Sequence, residues 1–296
     1  MRIRQQGMTM VEILVAVAIG PIGILIITQA YLTGENFNRS TLGEGGAQTN
    51  GLLALYSVER DVRSAGYGIA SSGALGCGQI YWYYDPSYSS NIGGGTLSNI
   101  TLAPVVIDKD TVAPVDVEPM QITVMFATDA ERMMPGTISG FNASSSEITM
   151  DGTSGFREND LILLVGPTGC TLARITQVQP GPQKIQVNPG VTAPQNPPAW
   201  GSFPTTYASG DSLLNLGNPI VRTYLIDNGK LQVRDGLLQA ALPTTLELVD
   251  GIVDMRAQYG HDTNGDDAVD TWNSTTPTTS LGWTRVLAVR IGVLAR

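Results

Sequence analysis

The densest set of oxygen-bearing side chains lies in His261-Asp262-Thr263-Asn264-Gly265-Asp266-Asp267-Ala268-Val269-Asp270. Asp262, Asn264, Asp266 and Asp270 fall at positions 1, 3, 5 and 9 of an EF-hand-type loop, and Ala268 at position 7 can offer its backbone carbonyl. Hard oxygen donors at this density suit Ca²⁺ better than zinc or copper. Two positions depart from the pattern. Asp267 stands where glycine is usual, and Asn273 replaces the bidentate glutamate at the last position. Both departures predict weak binding, on the order of 10⁻⁴–10⁻³ M, with a structural role in pinning the loop before the last strand. The alternative is a solvated acidic turn. His261 is the one histidine and sits beside these carboxylates. No nucleophile or oxyanion donor accompanies it, so it reads as a surface side chain.

A second set of residues lies at the other end of the chain. Met1 to Gly7 read MRIRQQG, short and positive through Arg2 and Arg4, and from Ile13 to Leu32 the chain has 20 residues without a charge. That length crosses a hydrocarbon core as a helix, and the basic leader predicts a cytoplasmic N-terminus with the remaining chain outside. A general secretory signal has a shorter apolar core and a cleavage site after it. Here the obvious processing point precedes the apolar run, between Gly7 and Met8. Glu12 stands at the mouth of the apolar run, where a carboxylate is costly without a partner. Cleavage after Gly7 would make Glu12 the fifth residue and give Met8 a positive α-amine. Glu12 would pair with that amine on its own chain or a neighbour's, weakly screened in apolar surroundings. The alternative is a glutamate facing lipid headgroups.

Gly7-Met8-Thr9-Met10-Val11-Glu12 resembles the class III signal of type IV prepilins. The resemblance implies cutting after Gly7 by a prepilin peptidase, methylation of the new N-terminus at Met8, and an assembly role for Glu12. The family usually has Phe where this chain has Met8. Leu55-Tyr56-Ser57-Val58-Glu59-Arg60-Asp61-Val62-Arg63-Ser64-Ala65-Gly66-Tyr67 resembles a helix-end segment of PilW-type minor pilins. So do Leu164 to Cys170 and Leu248 to Gly260, the latter followed by an acidic loop, a Trp and a final strand. A comparable acidic loop recurs in that branch, which implies calcium here too. Residues from about 85 to 155 match nothing in the family pattern, and type II secretion pseudopilins share the N-terminal features.

These residues need elements to position them. After Leu32 the helix is expected to continue as an amphipathic segment. Leu52, Leu53, Leu55, Tyr56, Val58 and Val62 fall near helical spacing, with Glu59, Arg60, Asp61 and Arg63 filling much of the other face. Gly20-Pro21 predicts a kink or local melting. Gly43, Gly45 and Gly46 suggest a flexible joint, and Gly66-Tyr67-Gly68 a stop. A helix from 9 to 65 is about 80 Å long at 1.5 Å per residue, so its first half must meet membrane or partner helices.

From Ile69 the pattern turns to β. Candidate strands are Gln79–Tyr83, Gln121–Phe126, Glu147–Met150, Leu161–Val165, Ala173–Gln177, Lys184–Val187, Ile220–Asp227, Lys230–Arg234, Leu248–Tyr259 and Arg285–Leu294. Asp227-Asn228-Gly229 signals a tight hairpin, while Tyr88–Asn99 and Asn188–Gly210 read as loops. The expected class is α+β and pilin-like: a long N-terminal helix on an antiparallel β body. The divisions are a leader at 1–7, a membrane or filament-core helix at 8–32, its amphipathic continuation at 33–66, and a β-rich body at 67–296.

Cys77 and Cys170 lie far apart, outside any CxxC pair. In an exported body they read as one disulfide, the alternative being two buried free thiols. The chain has 296 residues, 42% of them hydrophobic and 15% charged, with a net charge of −9. No Lys/Arg cluster is present, so general nucleic-acid binding is not expected. A catalytic triad, a phosphate loop and a transition-metal cluster are not found, which argues against an enzyme. The leading reading is a minor pilin at or near a filament tip, helping prime assembly with other minor and major pilins. Its precursor would sit in the inner membrane. A pseudopilin of type II secretion and an exported adhesin or DNA-uptake subunit are the competing readings.

Overall fold

The computed structural model describes residues 9–69, 80–81, 83, 102–109, 119–128, 131–132, 134–190, 193, 195–196, 206–235 and 244–296. Helix α1 spans Met10–Ser64. Thr9 and Glu12 close its start as a capping box. The Thr9 N–H and hydroxyl donate to Glu12 Oε2 at 2.9 and 3.0 Å, and the Glu12 N–H donates to Thr9 Oγ1 at 3.4 Å. The helix runs unbroken through Pro21 and through Gly43, Gly45 and Gly46, which have open space where a Cβ would stand. It ends where the glycines predict. Gly66 and Gly68 take φ of 81° and 75°, and the Gly66 N–H donates to the Met125 carbonyl. A Cβ on Gly68 would lie 2.5 Å from that of Ala127, so this turn requires glycine twice over.

The strands are β1 Ile80–Tyr81, β2 Val105–Lys109, β3 Met120–Phe126, β4 Gly136–Asn142, β5 Glu147–Met150, β6 Leu161–Gly166, β7 Gly169–Arg174 and β8 Gln177–Gln179. They continue with β9 Lys184–Gln186, β10 Ser212–Gly217, β11 Ile220–Asp227, β12 Lys230–Asp235, β13 Thr244–Asp250, β14 Ile252–His261 and β15 Thr271–Asn273. A short helix α2, Ser280–Thr284, precedes β16, Val286–Ala295. Three sheets result, ordered β1-β7-β6-β10-β4-β5-β9-β8, β13-β12-β11-β3-β2 and β15-β14-β16. The fold is mixed α and β with β dominant. Pairing is antiparallel between these strands except at β1–β7, where Ile80 lies opposite Cys170 in parallel.

The chain divides into two compact units at Thr49/Asn50. In the first, α1 exposes a run of apolar side chains that includes Leu14, Val17, Leu25 and Ile27. In the second, Ala54 and Val58 of α1 pack with Ile122, Tyr224, Met255 and Tyr259 in one core that joins the five- and three-stranded sheets. The eight-stranded sheet has its own core around Ile148, Ile162, Leu164 and Ile185. A third cluster, including Ile69, Leu163, Cys170 and Val221, packs beside it.

Four sequence expectations change. The helix buries Ala54, Val58 and Asp61, whereas Leu52, Leu53 and Tyr56 are exposed. Asp61, expected on the polar face, is 3% exposed because the i, i+4, i+7 stripe that meets the sheet carries it inward. Leu248–Tyr259 is two strands, broken at Gly251 with φ of 75°. Ala173–Gln177 is the end of β7 and the start of β8. Strands β2, β4, β10 and β15 and helix α2 were not legible in sequence; β4 and β10 carry glycine or asparagine inside the run, which blurs the alternation. Tyr88–Asn99 lies outside the described residues.

Candidate functional site

The acidic loop joins β14 to β15, an antiparallel pair with Gly260 opposite Trp272 and His261 opposite Thr271. Gly260 is needed because a Cβ there would come within 2.9 Å of Val269 Cγ1 and 3.0 Å of the Trp272 ring. Trp272 therefore lies over the strand it faces, and the Arg290 guanidinium stacks 4.7 Å from its ring centroid. The base of the loop is closed by the backbone: Asp270 N–H donates to the His261 carbonyl, and Asp262 N–H to that of Arg285, both at 2.9 Å.

Above this base the side chains organise the turns. Asp262 is 5% exposed, and its carboxylate accepts from the N–H groups of Asn264, Gly265 and Asp267 at 3.1, 2.5 and 3.1 Å. Gly265 and Asp267 adopt φ of 86° and 62°. Asp267 thus supplies the left-handed residue that glycine usually provides at position 6. Asn264 Oδ1 accepts from the Asp266 N–H, and Asp266 Oδ1 from the Ala268 N–H, both at 2.9 Å. Asp270 Oδ2 accepts from the Thr263 N–H and hydroxyl at 2.8 and 2.7 Å. These donors hold two carboxyls below their ordinary range: the Gly265 N–H foremost for Asp262, and the Thr263 hydroxyl for Asp270.

Asp262, Asn264, Asp266, Ala268 and Asp270 are brought into one turn structure, as their spacing predicts. Among the described residues, however, no group of three His, Cys, Asp or Glu is gathered to hold a metal. The Asn264 amide occupies the point between the carboxylates instead, its Nδ2 donating to Asp266 Oδ2 at 3.1 Å and Asp270 Oδ1 at 3.4 Å. Rotating that amide by half a turn would present an oxygen to both carboxylates, which only a cation would stabilise. The donor set suits Ca²⁺ in residue type, and the Asn264 amide is the group that would have to turn for these oxygens to face one ion. Sequence reasoning missed Thr263 and Arg285, which fasten the loop at Asp270 and at the Thr263 carbonyl; neither residue type signals a ligand.

A second cluster was also missed. Asp61 Oδ2 accepts from the Tyr224 hydroxyl at 2.7 Å and from Arg222 Nη1 at 2.9 Å, and Arg60 Nε lies 3.2 Å from Oδ1. Arg222 also reaches Asp235 at 2.9 Å. Burial pushes the Asp61 carboxyl up, but the Arg222 and Tyr224 hydrogen bonds and the Arg222 charge outweigh it and hold the pKa below the ordinary 3.8. The cluster fastens the end of α1 to β11.

Glu12 lies in the first turn of α1 with its carboxylate on Thr9. Gly7 and Met8 lie outside the described residues, as does Cys77. Cys170 is disulfide-bonded, and β1, which starts three positions after Cys77, runs beside Cys170.

Residues 223–296, from within β11 through β16, match the family model described as Type IV Pilus-assembly protein W. That stretch contains the acidic loop and most of the five- and three-stranded sheets' C-terminal strands. No curated protein and no solved structure matches the chain. The match supports a type IV pilus-related family and an assembly-related role. The apolar part of α1 is long enough to cross a membrane, which fits a membrane-associated or surface location.

Proposed function

We propose that this chain is a minor pilin: a membrane-anchored precursor, cut after Gly7 by a prepilin peptidase and taken into a type IV pilus through its N-terminal helix. The observation that carries the reading is the pairing of an exposed, membrane-length apolar helix with a β body whose C-terminal stretch matches a pilus-assembly family. Apolar side chains such as Leu14 and Leu25 cannot face water over this length, so lipid must cover them before assembly and neighbouring pilin helices afterwards. Glu12 keeps one carboxylate oxygen on Thr9 and offers the other to the Met8 amine of its own chain or of a neighbour. A body with three sheets favours placement at or near the tip over repeated stacking along a shaft. There it would help prime assembly with other minor and major pilins.

The test is the N-terminal peptide mass of the protein made in its own cells, with and without active prepilin peptidase. A methylated peptide beginning at Met8, present only with the peptidase, is expected. An intact Met1 terminus in both cells would make the helix a plain anchor and overturn the reading.

The acidic loop is assigned to Ca²⁺ in a structural role, supported by the oxygen donors of Asp262, Asn264, Asp266 and Asp270 in one turn structure. When bound, the ion would neutralise these carboxylates and draw the loop together before β16. Calorimetry is expected to show binding on the order of 10⁻⁴–10⁻³ M, abolished by Asp262→Ala and Asp266→Ala. Absence of heat at millimolar calcium for the native chain sinks the assignment.

A further inference from the structure

Each of the three sheets ends in two strands with nothing paired on the outer edge among the described residues: β1 and β8, β13 and β2, and β15 and β16. The longest of these are β13, with 7 residues, and β16, with 10. An edge of this kind presents a row of backbone donors and acceptors, and proteins ordinarily blunt it with Lys, Pro, short length or bulges. Strand β16 has ten residues, Val286–Ala295, with no Lys or Pro and one charge, Arg290. Its register skips Leu287 against β14, which confines that irregularity to one end and leaves 288–294 regular. Leu287 and Leu294 are exposed.

The two edges differ in charge. From Thr271 to Arg296 there is no acidic residue, in a chain whose net charge is −9. Arg290 spreads over Trp272 and donates to Gln258, and Arg285 reaches the Thr263 carbonyl; neither has a carboxylate partner among the described residues. Strand β13 carries the exposed Leu246 and two acids, Glu247 and Asp250, whose side chains are 59% and 77% exposed; both share Lys230 Nζ of β12, at 2.7 and 3.6 Å, so two carboxylates face one ammonium. The faces also agree. Glu247 lies opposite Gln232, on the side away from the buried Leu231 and Val233. Arg290 likewise alternates with Val289 and Ile291, which pack on the core.

We infer that β13 of one copy of this chain adds to the free edge of β16 of a second copy, continuing the sheet from molecule to molecule. Backbone hydrogen bonds supply the pairing, and alignment of the outward faces sets Glu247 across from Arg290, where opposite charges on facing strands stabilise and like charges do not. The alternative of β16 on β16 would bring Arg290 against Arg290. The contact uses two different patches, so it is heterologous and leaves a free β16 on one copy and a free β13 on the other. It requires only two copies of the chain and does not depend on the pilin reading.

Purified full-length chain in detergent, carrying Glu247→Cys in one tagged preparation and Arg290→Cys in another, is mixed and treated with a short bifunctional maleimide. The reagent tolerates a same-face shift of register, about 7 Å along a strand. The expected product is a mixed dimer carrying both tags, lost when the first preparation carries Ser145→Cys instead. No cross-link, an equal yield with Ser145→Cys, or Arg290→Cys cross-linking only to itself overturns the inference. As a second measurement, light scattering should show that Glu247→Lys copies and Arg290→Glu copies each associate less than the parent. Mixing the two should restore association. Failure of the mixture to recover, when both variants melt as the parent does, overturns the charge pairing.

Discussion

At the scale of single residues, Asp61 closes the contact between α1 and β11. Its carboxylate is buried and satisfied by Tyr224 and Arg222, with Arg60 beside it. Removing one partner of such a pair leaves the other charge in poor surroundings. Asp61→Ala should therefore cost about 3 kcal/mol, read as a lowered denaturation midpoint of the detergent-solubilised chain. The pH dependence has a definite sign. The folded pKa of Asp61 is below the unfolded value of 3.8. Its contribution is thus complete above 3.8 and is lost as pH falls through the folded pKa. The parent should lose stability in that acid window, and Asp61→Ala should lose less there. An equal acid loss in both would place the titrating group elsewhere.

At the scale of elements, the hairpin β11–β12 shows how local chemistry fixes a register. Asn228 and Gly229 take φ of 50° and 73°, both left-handed, which is the two-residue turn whose twist suits antiparallel strands. Six residue pairs then follow in step, from Asp227–Lys230 to Arg222–Asp235. Gly229→Val should cost about 1–2 kcal/mol through strain at that φ, while Asn228→Gly should change the midpoint far less. Equal effects would mean the turn is not what holds the register. Helix α1 teaches the opposite lesson. Its apolar periodicity marked Leu52, Leu53 and Tyr56 as core, yet the sheet meets Ala54, Val58 and Asp61. Small side chains allow the helix close to the strands, and the larger ones are left for another surface.

At the scale of the whole molecule, charge is unevenly placed. The stretch after Thr271 carries arginines without acids, and β16 within it ends a sheet. The acidic edge β13 ends another. The proposed copy-to-copy pairing follows from that separation, and the mixed cross-link reports on it directly. The eight-stranded sheet lies within residues 80–217 and outside the stretch that matches the pilus-assembly family. One of its cores is its own, and a second cluster joins its Leu163 and Leu214 to Met125 of β3 and Val221 of β11. The family match thus bears on the three-stranded sheet, the acidic loop and strands β12 and β13 with most of β11.

The sequence by itself determined what depends on neighbours along the chain. The membrane-length helix, its stop at Gly66, the hairpin at Asn228-Gly229 and the turn chemistry of the acidic loop were all legible, because each is set by a few consecutive residues whose backbone preferences agree. The same holds for β5 and β11, whose ends fell where the runs predicted. Tertiary structure decided what depends on partners far away. It turned Asp61 inward, since a hydroxyl and a guanidinium more than a hundred residues later satisfy its charge. It broke Leu248–Tyr259 at Gly251 so that β13 and β14 could join different sheets. It also set the Asn264 amide between Asp266 and Asp270. A list of oxygen donors gives the spacing of a loop, but the direction each donor faces is fixed only when the strands beneath it, Gly260 against Trp272, have packed.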